Sequence, residues 1–519
     1  MSDRASLGGF RFGFGTPSSA PRREGGGAMH ILVMGDFSGR EERGDPDGGP
    51  AIAGREVYSV DIDEFERVMA RAGAAMLDPL APPEDALPIE FRSLDDFHPD
   101  RLLRRVEAFS RLRSIRARLE DDGAYEAAAG ELRGYLGFDP GALVSTRESK
   151  EGAVPGTPIF AEEDAGGSPG GVEAFVRSVV GPHVVKGADA RRGAYVYAAD
   201  AAISALMRRL MHAPVFKTLE SNWRGLHRLI TSVEVGERLS IHLLDISRGE
   251  MIVDLAEASR AGSLVHSGLY KQILEAGALP SDDEGWGLLA ACMTFDRTVG
   301  DAVLLNGLAQ LAAAAGTTLV AGAGPSLVGC ESFADGADPD GWAVPNDQAS
   351  HAAGTAWEML RNADESRYVA LGMPRVLVRP PYGAGGEQTE LFRFEELPKG
   401  ADDGATAAAR ARHEGYLWGN PAMTMAEVLS ALYMENGWTA DPGAAAEVIG
   451  LPVHGSSLEG EGEKRVMACA ETWMTERGAG AIRGAGVTPL MSSRGRDALR
   501  IPGIIPLGRG GGAIAGRWR

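Results

Sequence analysis

The chain alternates between apolar runs with the period of a strand and apolar stripes with the period of a helix. The first run, Ile31 to Met34 in MHILVMGDFSGR, stops at Gly35, which is typical of a buried strand entering a turn. The following segment, YSVDIDEFERVMARAGAAM, predicts an amphipathic helix with Asp61 or Asp63 near its N-cap. The inner stripe of that helix is Ile62, Phe65, Met69 and Ala72.

A second strand and a second helix follow. LPIEFRSL has the alternation of a strand, with Ile89 and Phe91 on one face. DDFHPDRLLRRVEAFSRLRSIRARL then predicts one long helix with Pro99 in its first turn. The inner stripe of this helix consists of Leu102, Val106, Phe109, Leu112 and Leu119.

Periodicity is lost between residues 142 and 171, where Gly, Pro, Ser and acidic residues collect, and this segment is the clearest linker. Beyond it, VEAFVRSVVGPHVV predicts a short helix. A larger region then alternates strands such as RLSIHLLDIS with helices such as FKTLESNWRGLHRLI, which predicts a mixed α/β fold. The apolar positions of the latter helix are Phe216, Leu219, Trp223, Leu226 and Ile230.

The first 28 residues are rich in Gly and Pro, yet they contain one strand-like stretch. Phe10, Phe12 and Phe14 alternate with Arg11 and Gly13, so the three rings would share one face of a strand. A lone strand is not stable in water. Two alternatives follow: this arm stays disordered, or it pairs with the edge of a sheet elsewhere.

Length and charge narrow the class of protein. The 519 residues exceed what one hydrophobic core usually serves, so we expect two or three domains. There are 52 basic against 72 acidic side chains, a formal net charge of −20, which argues against binding to nucleic acid. The nearest basic patch is the arginine-rich helix at 101–119. A solvated helix face is the favoured interpretation of that patch, and a binding surface is the alternative.

Cysteine usage and hydropathy bear on the compartment. Cys292, Cys330 and Cys469 lie far apart without C-x-x-C spacing, which favours buried thiols in a reducing compartment. The sequence contains no apolar run of about 18 residues and no apolar core of a signal peptide near its start. We therefore expect a soluble, cytoplasmic protein without direct membrane insertion.

Nucleotide binding is the first chemistry that the glycine-marked turns suggest. The turn from Gly35 to Arg40 lacks the spacing and the lysine of a phosphate loop, and Asp36 would place a negative charge beside the phosphate. A second turn, with Gly322 and Gly324 in TTLVAGAGPSLVG, lacks the third glycine of the dinucleotide fingerprint. A nucleotide-binding α/β enzyme is therefore only a weaker alternative.

Metal-binding and hydrolytic motifs are incomplete as well. His413 and Glu414 begin an H-E-x-x-H pattern, but Leu417 stands where the second histidine is needed. Ser456 and Ser457 lack the G-x-S-x-G frame of hydrolases. We therefore predict no catalytic residues, and we expect neither a cofactor nor a metal.

Aromatic and arginine residues cluster instead in three short frames, NWRGLH, RPPYG and YLWGN. Such residues combine large apolar areas with fixed hydrogen-bond geometry, which suits a core or a subunit interface. Core anchoring is the favoured interpretation. The residues concerned are Trp223, Arg224, Gly225, Arg379, Pro381, Tyr382, Gly383, Trp418, Gly419 and Asn420.

Several segments occur together, and in order, in a known family. LESNWRGLHRLI, RLSIHLLDIS with RGEMIVDL, ESRYVALGMPRVLVRPPYG, YLWGN and GLPVHG resemble the large sheath subunit of bacterial type VI secretion systems, TssC. ILVMGDFSGR, REVYSVDIDEFERVMARAG and IEFRSLDDFHPDRLLRRVEAF resemble the small sheath subunit, TssB. In this resemblance Gly35, Asp36 and Phe37 belong to a structural strand and turn. The chain therefore resembles a small subunit fused to a large one.

The resemblance implies four segments: a flexible arm at 1–28, a TssB-like domain at 29–141, a linker at 142–171 and a TssC-like domain at 172–519 with a shortened C-terminus. It implies a structural protein, not an enzyme, that polymerises into a helical sheath around an Hcp tube and contracts to drive that tube out of the cell. Family arms add strands to neighbouring subunits, so Phe10, Phe12 and Phe14 are interface candidates. A static tube or baseplate adaptor of the same fold is the alternative.

The resemblance also implies partners. Besides further copies of the chain and an Hcp-like tube, these are baseplate proteins and, in some members, the disassembly ATPase ClpV, which recognises a helix at the start of the large subunit. Residues 172–185 are the nearest helix in this sequence. A linker of roughly 30 residues spans on the order of 30 Å. Pairing of the two parts within one chain and pairing between neighbouring chains therefore both stay open.

Overall fold

The computed structural model describes residues 27–42, 44, 46–141, 190–275, 285–397, 406–457, 464–466 and 468–518. The predicted arm strand at Phe10, Phe12 and Phe14, the linker at 142–171 and the predicted helix at 172–185 lie outside these residues. The chain divides into two compact units, and neither is one continuous segment. The first unit consists of Met1–Ala74, Thr218–Pro380 and Ala409–Arg519, and the second consists of Ala75–Lys217 and Pro381–Ala408.

A large sheet of seven strands, counted over the described residues, forms the centre of the first unit. Six strands are parallel, and the edge strand at Val57–Val60 is antiparallel to its neighbour. Parallel strands are usually buried on both faces, which is why these strands are almost continuously apolar. Across the sheet the order is β14 (Val487–Pro489), β8 (Val369–Met373), β7 (Thr318–Ala323), β6 (Leu288–Phe295), β1 (Met29–Gly35), β5 (Leu239–Asp245) and β2 (Val57–Val60).

The earliest strand, β1, lies inside this sheet between two strands from much later in the sequence. It pairs in parallel with β5 along its whole length, from Met29 opposite Leu239 to Gly35 opposite Asp245. On its other side, β1 pairs in parallel with β6. All of its residues are buried, so the continuous apolar run correctly predicted a strand with no polar face.

Helices cover both faces of the large sheet. Those lying wholly or mostly in the first unit are α1 (Gly49–Ala53), α2 (Phe65–Ala72), α7 (Pro214–Ser232), α8 (Arg248–Arg260), α9 (Gly268–Tyr270), α10 (Val299–Ala315), α11 (Gln348–Arg361), α12 (Thr406–Gly415), α13 (Pro421–Asn436) and α14 (Glu476–Gly484). On one face, α10 packs beside α8 and α11 against the core. On the other face, α13 packs against β6, β7 and β8.

Local signals fix the ends of these helices. The side chain of Thr298 accepts a hydrogen bond from the Asp301 N–H and so caps the start of α10. That helix ends at Gly316, whose φ of 64° lies in the left-handed region that favours glycine. A capping box formed by Ser247 and Glu250 starts α8 in the same way.

Three small antiparallel sheets also lie in the described part of the first unit. β9 (Val376–Arg379) pairs with β10 (Leu417–Gly419), and β12 (Gly455–Ser457) pairs with β13 (Lys464–Val466). β11 (Ala446–Val448) and β15 (Met491–Ser492) flank β16 (Leu499–Ile501).

The second unit is mainly helical. Its elements are β3 (Ala75–Leu77), β4 (Pro88–Glu90), α3 (Pro99–Arg105), α4 (Ser110–Leu119), α5 (Tyr125–Leu136) and α6 (Ala190–Met211). α4 packs against α5 and α6, and Arg116 of α4 pairs with Asp200 of α6 at 2.7 Å. The carboxylate of Asp100 accepts hydrogen bonds from the N–H groups of Glu390 and Leu391 at 2.8 and 3.2 Å. These contacts tie segments that are distant in sequence.

The helix predicted from YSVDIDEFERVMARAGAAM begins later than expected. Its buried residues are Phe65, Val68 and Met69, and the YSV part forms β2 instead. Ile62 is 61% exposed, so its predicted place in the inner stripe was wrong. The reason is that Ile62 precedes the first helical turn and therefore does not share the periodicity of the helix.

The long helix predicted after residue 95 is divided. The backbone is extended at Val106, and a short 3₁₀ turn at Glu107–Phe109 separates α3 from α4. All residues of its predicted inner stripe are nevertheless buried: Leu102, Val106, Phe109, Leu112 and Leu119. The predicted stripe of α7 is buried as well: Phe216, Leu219, Trp223, Leu226 and Ile230. Within the described ranges, no helix has the length and apolar character that crossing a membrane requires.

Candidate functional site

The turn after β1 is held by one buried carboxylate at the end of β5. Asp245 accepts hydrogen bonds through Oδ1 from the N–H groups of Phe37 and Ser38, at 2.8 and 3.0 Å. Its Oδ2 accepts from the Ser38 hydroxyl and from Arg40 Nε, both at 2.6 Å. Because β1 and β5 are parallel and in register, they bring the turn and this carboxylate to the same edge of the sheet.

Two arginines extend this contact to Glu250 in the first turn of α8. Arg55 donates to the two Glu250 oxygens at 2.9 and 2.7 Å and to the backbone oxygen of Asp245 at 3.0 Å. Arg40 Nη1 lies 3.5 Å from Glu250 Oε1. Burial acts to raise the pKa of Glu250, but hydrogen bonds from Arg55 and the Ser247 N–H outweigh it, so this pKa is lowered. We call Arg40, Arg55, Asp245 and Glu250 the junction cluster.

Asp36 fixes the shape of the turn itself. Its carboxylate accepts hydrogen bonds from the N–H groups of Arg40 and Glu41 at 2.8 and 2.9 Å. Burial raises the pKa of Asp36, and the negative charge of Asp245 acts in the same direction against these backbone bonds. The turn that follows β1 is therefore a structural element built around two acidic side chains.

Two side chains of helix α7 donate hydrogen bonds to backbone oxygens of the same turn. Asn222 Nδ2 donates to the Asp36 oxygen at 2.9 Å, and Trp223 Nε1 donates to the Phe37 oxygen at 2.8 Å. The rings of Phe37 and Trp223 meet edge to face with centroids 5.1 Å apart, and Phe65 contacts Trp223 at 5.7 Å. The structure thus brings the predicted residues Asp36, Phe37 and Trp223 together.

A second ion-pair cluster lies on the same helix. Glu220 is fully buried and accepts hydrogen bonds from Arg379, at the end of β9, through Nε at 2.6 Å and Nη2 at 3.0 Å. Arg224, one turn along α7, donates to Glu220 through Nε at 2.8 Å. Burial acts to raise the pKa of Glu220, but the two guanidinium groups outweigh it and lower the pKa. We call Glu220, Arg224 and Arg379 the buried triad.

A cleft in the first unit is lined by four segments that the sequence had singled out: NWRGLH, the RVLVR strand, YLWGN and GLPVHG. Among its lining residues are Arg224, Gly225, Leu377, Gly419, Asn420 and Leu451. Arg228 lines the cleft as well and donates to both oxygens of Glu427 at 3.0 and 2.9 Å. The same side chain donates to the backbone oxygens of Ile449 and Gly450 at 3.0 and 2.9 Å, which ties the GLPVHG loop to α7.

The glycines considered for dinucleotide binding serve close packing. A Cβ at Gly322 would lie 2.8 Å from Asn420 Nδ2, because the start of α13 presses on β7 there. Asn420 also caps α13, accepting from the Ala422 N–H at 2.9 Å. A Cβ at Gly324 would lie 2.0 Å from an oxygen of Asp296. Both glycines are therefore explained by protein atoms that approach the backbone.

Three predicted residues lie in the second unit. The Tyr382 N–H donates to Glu396 at 2.8 Å, and the Tyr382 ring meets His98 with centroids 5.0 Å apart. Gly383 has a φ of 110°, which favours glycine. Pro381 precedes them at the boundary of this unit. The RPPYG frame therefore supplies Arg379 to the buried triad and supplies its last three residues to the packing of the second unit.

His413 and Glu414 meet Glu471, and within the described ranges these three residues are the cluster with metal-ligand geometry. Arg375 donates to Glu471 through Nε and to Glu414 through Nη2, both at 2.8 Å. Burial acts to raise the pKa of Glu471, but the charge of Arg375 outweighs it and lowers the pKa to about 2. Trp418 Nε1 donates to the His413 backbone oxygen at 2.8 Å. The carboxylates therefore act as ion-pair partners of an arginine.

The arginines of α3 and α4 are largely paired inside the second unit. Four of them contact carboxylates: Arg105, Arg111, Arg116 and Arg118. Arg113 instead donates to the backbone oxygens of Leu103 and Arg104 at 2.9 and 2.6 Å. This pairing supports a structural helix face over a binding surface.

The thiols are free, as their spacing suggested, and none forms a disulfide. Burial raises the pKa of Cys292 to about 12. It raises those of Cys330 and Cys469 to about 11. Thiols with such values are protonated at neutral pH and are weak nucleophiles.

The sequence interpretation missed the acidic halves of both clusters, Asp245, Glu250 and Glu220. A signal was present for Glu220, which follows Phe216 by four residues and precedes Trp223 by three, so it shares the apolar stripe of α7. Asp245 similarly ends a strand, directly after the apolar residues Leu243 and Leu244. A charged residue at such a position predicts a buried partner, but the neighbouring sequence does not show which residue that partner is.

Comparison with known proteins yields two family matches in one chain. Residues 194–503, more than half of the chain, match the VipB family model, described as EvpB/VC_A0108, tail sheath N-terminal domain. Residues 28–133 match the T6SS VipA family model, described as type VI secretion system, VipA, VC_A0107 or Hcp2.

A curated relative agrees with the first match. The chain is 32% identical over 262 residues to the type VI secretion system sheath protein TssC1 of Pseudomonas aeruginosa. That alignment covers 50% of this chain and 50% of the relative. The chain therefore spans about half the length of the curated relative that it matches.

Proposed function

Since this chain belongs to the tail sheath family of type VI secretion systems, we propose that it is a structural subunit of a contractile sheath. The family is a structural one, and the residues that the sequence singled out pack against one another in ion pairs, caps and aromatic contacts. The biochemical role then lies in assembly and in the free energy of subunit packing, for which no catalytic group is required.

The position of β1 is the observation that carries this proposal. β1 lies within the residues that match the VipA model, whereas its two neighbours, β5 and β6, lie within those that match the VipB model. β1 is buried on both faces and paired on both edges, so removing it would split the large sheet. This arrangement supports a single fused subunit that contains both sheath components.

The polymer that we propose is a helical, cytoplasmic sheath of this chain around a tube of Hcp-like protein, anchored to baseplate proteins. Contraction would draw on packing between copies. The junction cluster and the buried triad support this division of labour, because interlocked ion pairs keep the inside of each copy rigid. Contraction would then strain the contacts between copies and not the interior of each copy.

We further propose that residues 29–141 and 172–519 correspond to the small and large subunits and that residues 142–171 link them. Fusion would hold the two parts at a one-to-one ratio and at high effective concentration. A ClpV-like ATPase that recognises residues 172–185 would dismantle the polymer. Adding that ATPase and ATP to assembled polymers, with a variant that lacks residues 172–185 as the control, tests this point.

Electron microscopy of the chain expressed alone tests the central proposal. We expect long hollow tubes, and with an Hcp-like tube protein present we expect two forms that differ in diameter, extended and contracted. One invariant tube form would instead favour a static tube or a baseplate adaptor. Discrete particles under every condition, including with the tube protein, would contradict the sheath function.

A substitution in the arm tests the predicted contact between copies. Phe12→Asp places a charge on the apolar face of the predicted strand, so we expect tubes to be lost while the single chain stays folded. Thr16→Asp adds the same charge beyond the alternating stretch and is the matched control. Normal tubes from the Phe12→Asp variant would remove the arm from the assembly mechanism.

A further inference from the structure

Residues 503–518 cross the amino-terminal ends of the parallel strands, and we call them the strap. The strap contacts the strands in their order across the sheet. The Ile505 N–H donates to Thr488 Oγ1 of β14 at 3.1 Å. The Leu507 N–H then donates to the oxygen of Val369, the first residue of β8, at 2.8 Å.

The second half of the strap continues across β7 to the segment before β6. Thr318, the first residue of β7, donates through Oγ1 to the Ala515 oxygen at 2.9 Å and accepts from Trp518 Nε1 at 3.0 Å. Arg517 donates to the oxygen of Gly285 at 3.1 Å. The strap thus bonds to polar groups at the first residues of β7 and β8 and at the middle residue of β14.

Three glycines allow the strap to lie this close. An added Cβ would lie 2.1 Å from a backbone oxygen at Gly503, 2.7 Å from a serine hydroxyl at Gly508 and 2.3 Å from Thr318 Oγ1 at Gly516. Gly503 and Gly516 also have φ values of 111° and 155°. Gly510 differs, because its added Cβ has no atom within 4 Å.

The strap ends at an aromatic clamp that holds the start of β1. The rings of Trp518 and Trp438 lie 5.2 Å apart, and the guanidinium of Arg517 lies 4.5 Å over the Trp438 ring. Trp438 Nε1 donates to the oxygen of Gly27 at 3.0 Å, and the Tyr433 hydroxyl donates to the same oxygen at 2.8 Å. Two donors therefore fix the backbone immediately before β1, and the strap covers one of them.

We propose that the strap is a conformational tie that fixes the backbone at Gly27, directly before β1. In this arrangement, release of residues 515–518 uncovers Trp438, weakens its bond to Gly27 and loosens the first residues of β1. The reverse also holds, because two sites that share one clamp are coupled with the same free energy in both directions. The tie is a property of the single chain and is independent of the proposed polymer.

Hydrogen exchange followed by mass spectrometry tests the tie in the full-length chain. We expect Gly516→Ala to increase the exchange rates of the amides of Met29 to Ile31 at least tenfold. Gly510→Ala, made in the same strap without a steric clash, should leave those rates at the native level. Unchanged exchange in α10 shows in both variants that the sheet and its helices remain folded.

A second pair of variants keeps the test decisive if Gly516→Ala fails to fold. Trp518→Ala removes the ring that covers Trp438, whereas Trp518→Phe keeps an aromatic ring but removes the bond to Thr318. We expect faster exchange at the start of β1 in Trp518→Ala and a smaller increase in Trp518→Phe. Faster exchange confined to the strap, with Met29 to Ile31 unchanged in every folded variant, would overturn the proposal.

Discussion

The two charge clusters of the first unit use the same residue types but differ in how many carboxylates they share among two arginines. In the buried triad, one fully buried carboxylate accepts hydrogen bonds from two guanidinium groups. In the junction cluster, two carboxylates meet two guanidinium groups, and Asp36 and Asp47 lie close by. Removing the acid from the triad should therefore take a shared acceptor from both arginines, whereas removing one acid from the junction leaves the second carboxylate in place.

The comparison also separates what each cluster connects. The triad joins α7 to β9, and both lie within the residues that match the VipB model. The junction cluster joins the turn after β1 and Arg55, which match the VipA model, to the end of β5 and the start of α8. The first cluster stabilises one part internally, whereas the second fastens two parts together. Substitutions can distinguish these roles.

Glu220→Gln should have the largest effect. It leaves Arg224 and Arg379 without their shared carboxylate in a buried site, and breaking such a cluster lowers the free energy of unfolding by about 3–5 kcal/mol. Urea unfolding followed by tryptophan fluorescence measures this loss. The matched control is Glu56→Gln, which affects an exposed pair with Arg71 and should change stability by less than about 1 kcal/mol. Equal effects of the two substitutions would show that burial of the triad is unimportant.

Asp245→Asn should have a smaller effect at the junction. The amide keeps the shape of the side chain, and its oxygen can still accept from the N–H groups of Phe37 and Ser38, but its nitrogen is a donor that faces the donating guanidinium of Arg40. We expect a loss of about 2 kcal/mol, because unpaired buried polar groups cost about 1–3 kcal/mol. In hydrogen-exchange experiments, the amides of residues 36–40 should exchange faster, whereas those of β9 should exchange at the native rate. Faster exchange in β9 instead would contradict the separation of the two clusters.

As the pH falls, the strand pairing beside the junction cluster should weaken before the buried triad does. His242 of β5 contacts Ser240, which bonds to His30 of β1 at 2.6 Å, and the ring of Trp286 covers His242. Burial, with the nearby charge of His30, lowers the pKa of His242 from 6.5 to about 4. The unfolded chain therefore binds a proton as the pH falls below 6.5, whereas the folded chain resists it until about pH 4.

This difference should lower the free energy of unfolding by about 1 kcal/mol per pH unit between pH 6.5 and 4. The triad behaves differently, because the pKa of Glu220 is lowered from 4.5 and its contribution is lost only below that value. Urea unfolding at several pH values measures the slope, and His242→Gln should flatten it. A slope that persists in this variant would assign the acid sensitivity to another group.

Salt should produce the smallest effect, and it should act on the junction cluster and not on the buried triad. The side chain of Arg40 is 32% exposed, so its attraction to Asp245 and Glu250 is screened by ions. We expect Arg40→Gln to lose about 1 kcal/mol at low salt, because the nearly buried Asp245 loses one of its donors, and to lose less in 1 M NaCl. The effect of Glu220→Gln should not change with salt. A salt-independent loss in Arg40→Gln would mean that the hydrogen bond, and not the charge, is what Arg40 contributes.

Much of the fold could be predicted because burial gives the apolar residues of a helix or strand a regular spacing. The stripes of α4 and α7 and the apolar run of β1 were predicted correctly, since each depends only on residues within a few turns or along one strand. The separation of α3 from α4 was not predicted, because the apolar stripe continues through the extended backbone at Val106. β2 was missed because its edge position leaves little apolar signal.

The site was predictable only in part. Trp223, Arg224, Arg379 and Asn420 were singled out by type, and they lie in or beside the two clusters and the cleft. Their partners could not be inferred, because Glu220 is 159 residues from Arg379 and Asp245 is 208 residues from Phe37. The strap was missed for another reason. A glycine-rich sequence is typical of a loop. Only the structure shows which atoms approach each glycine so closely that a side chain would not fit.

The central place of β1 has a consequence during synthesis. Its neighbour β5 is made about 200 residues later, which at ribosomal speeds of about 5–20 residues per second is a delay on the order of 10–40 s. Throughout that delay the newborn strand is an apolar segment without a partner in its own chain. Neighbouring chains in which β5 and β6 have already been made offer matching strands. Polysomes crowded with nascent chains therefore favour exchange of β1 between copies, and holding chaperones would suppress it.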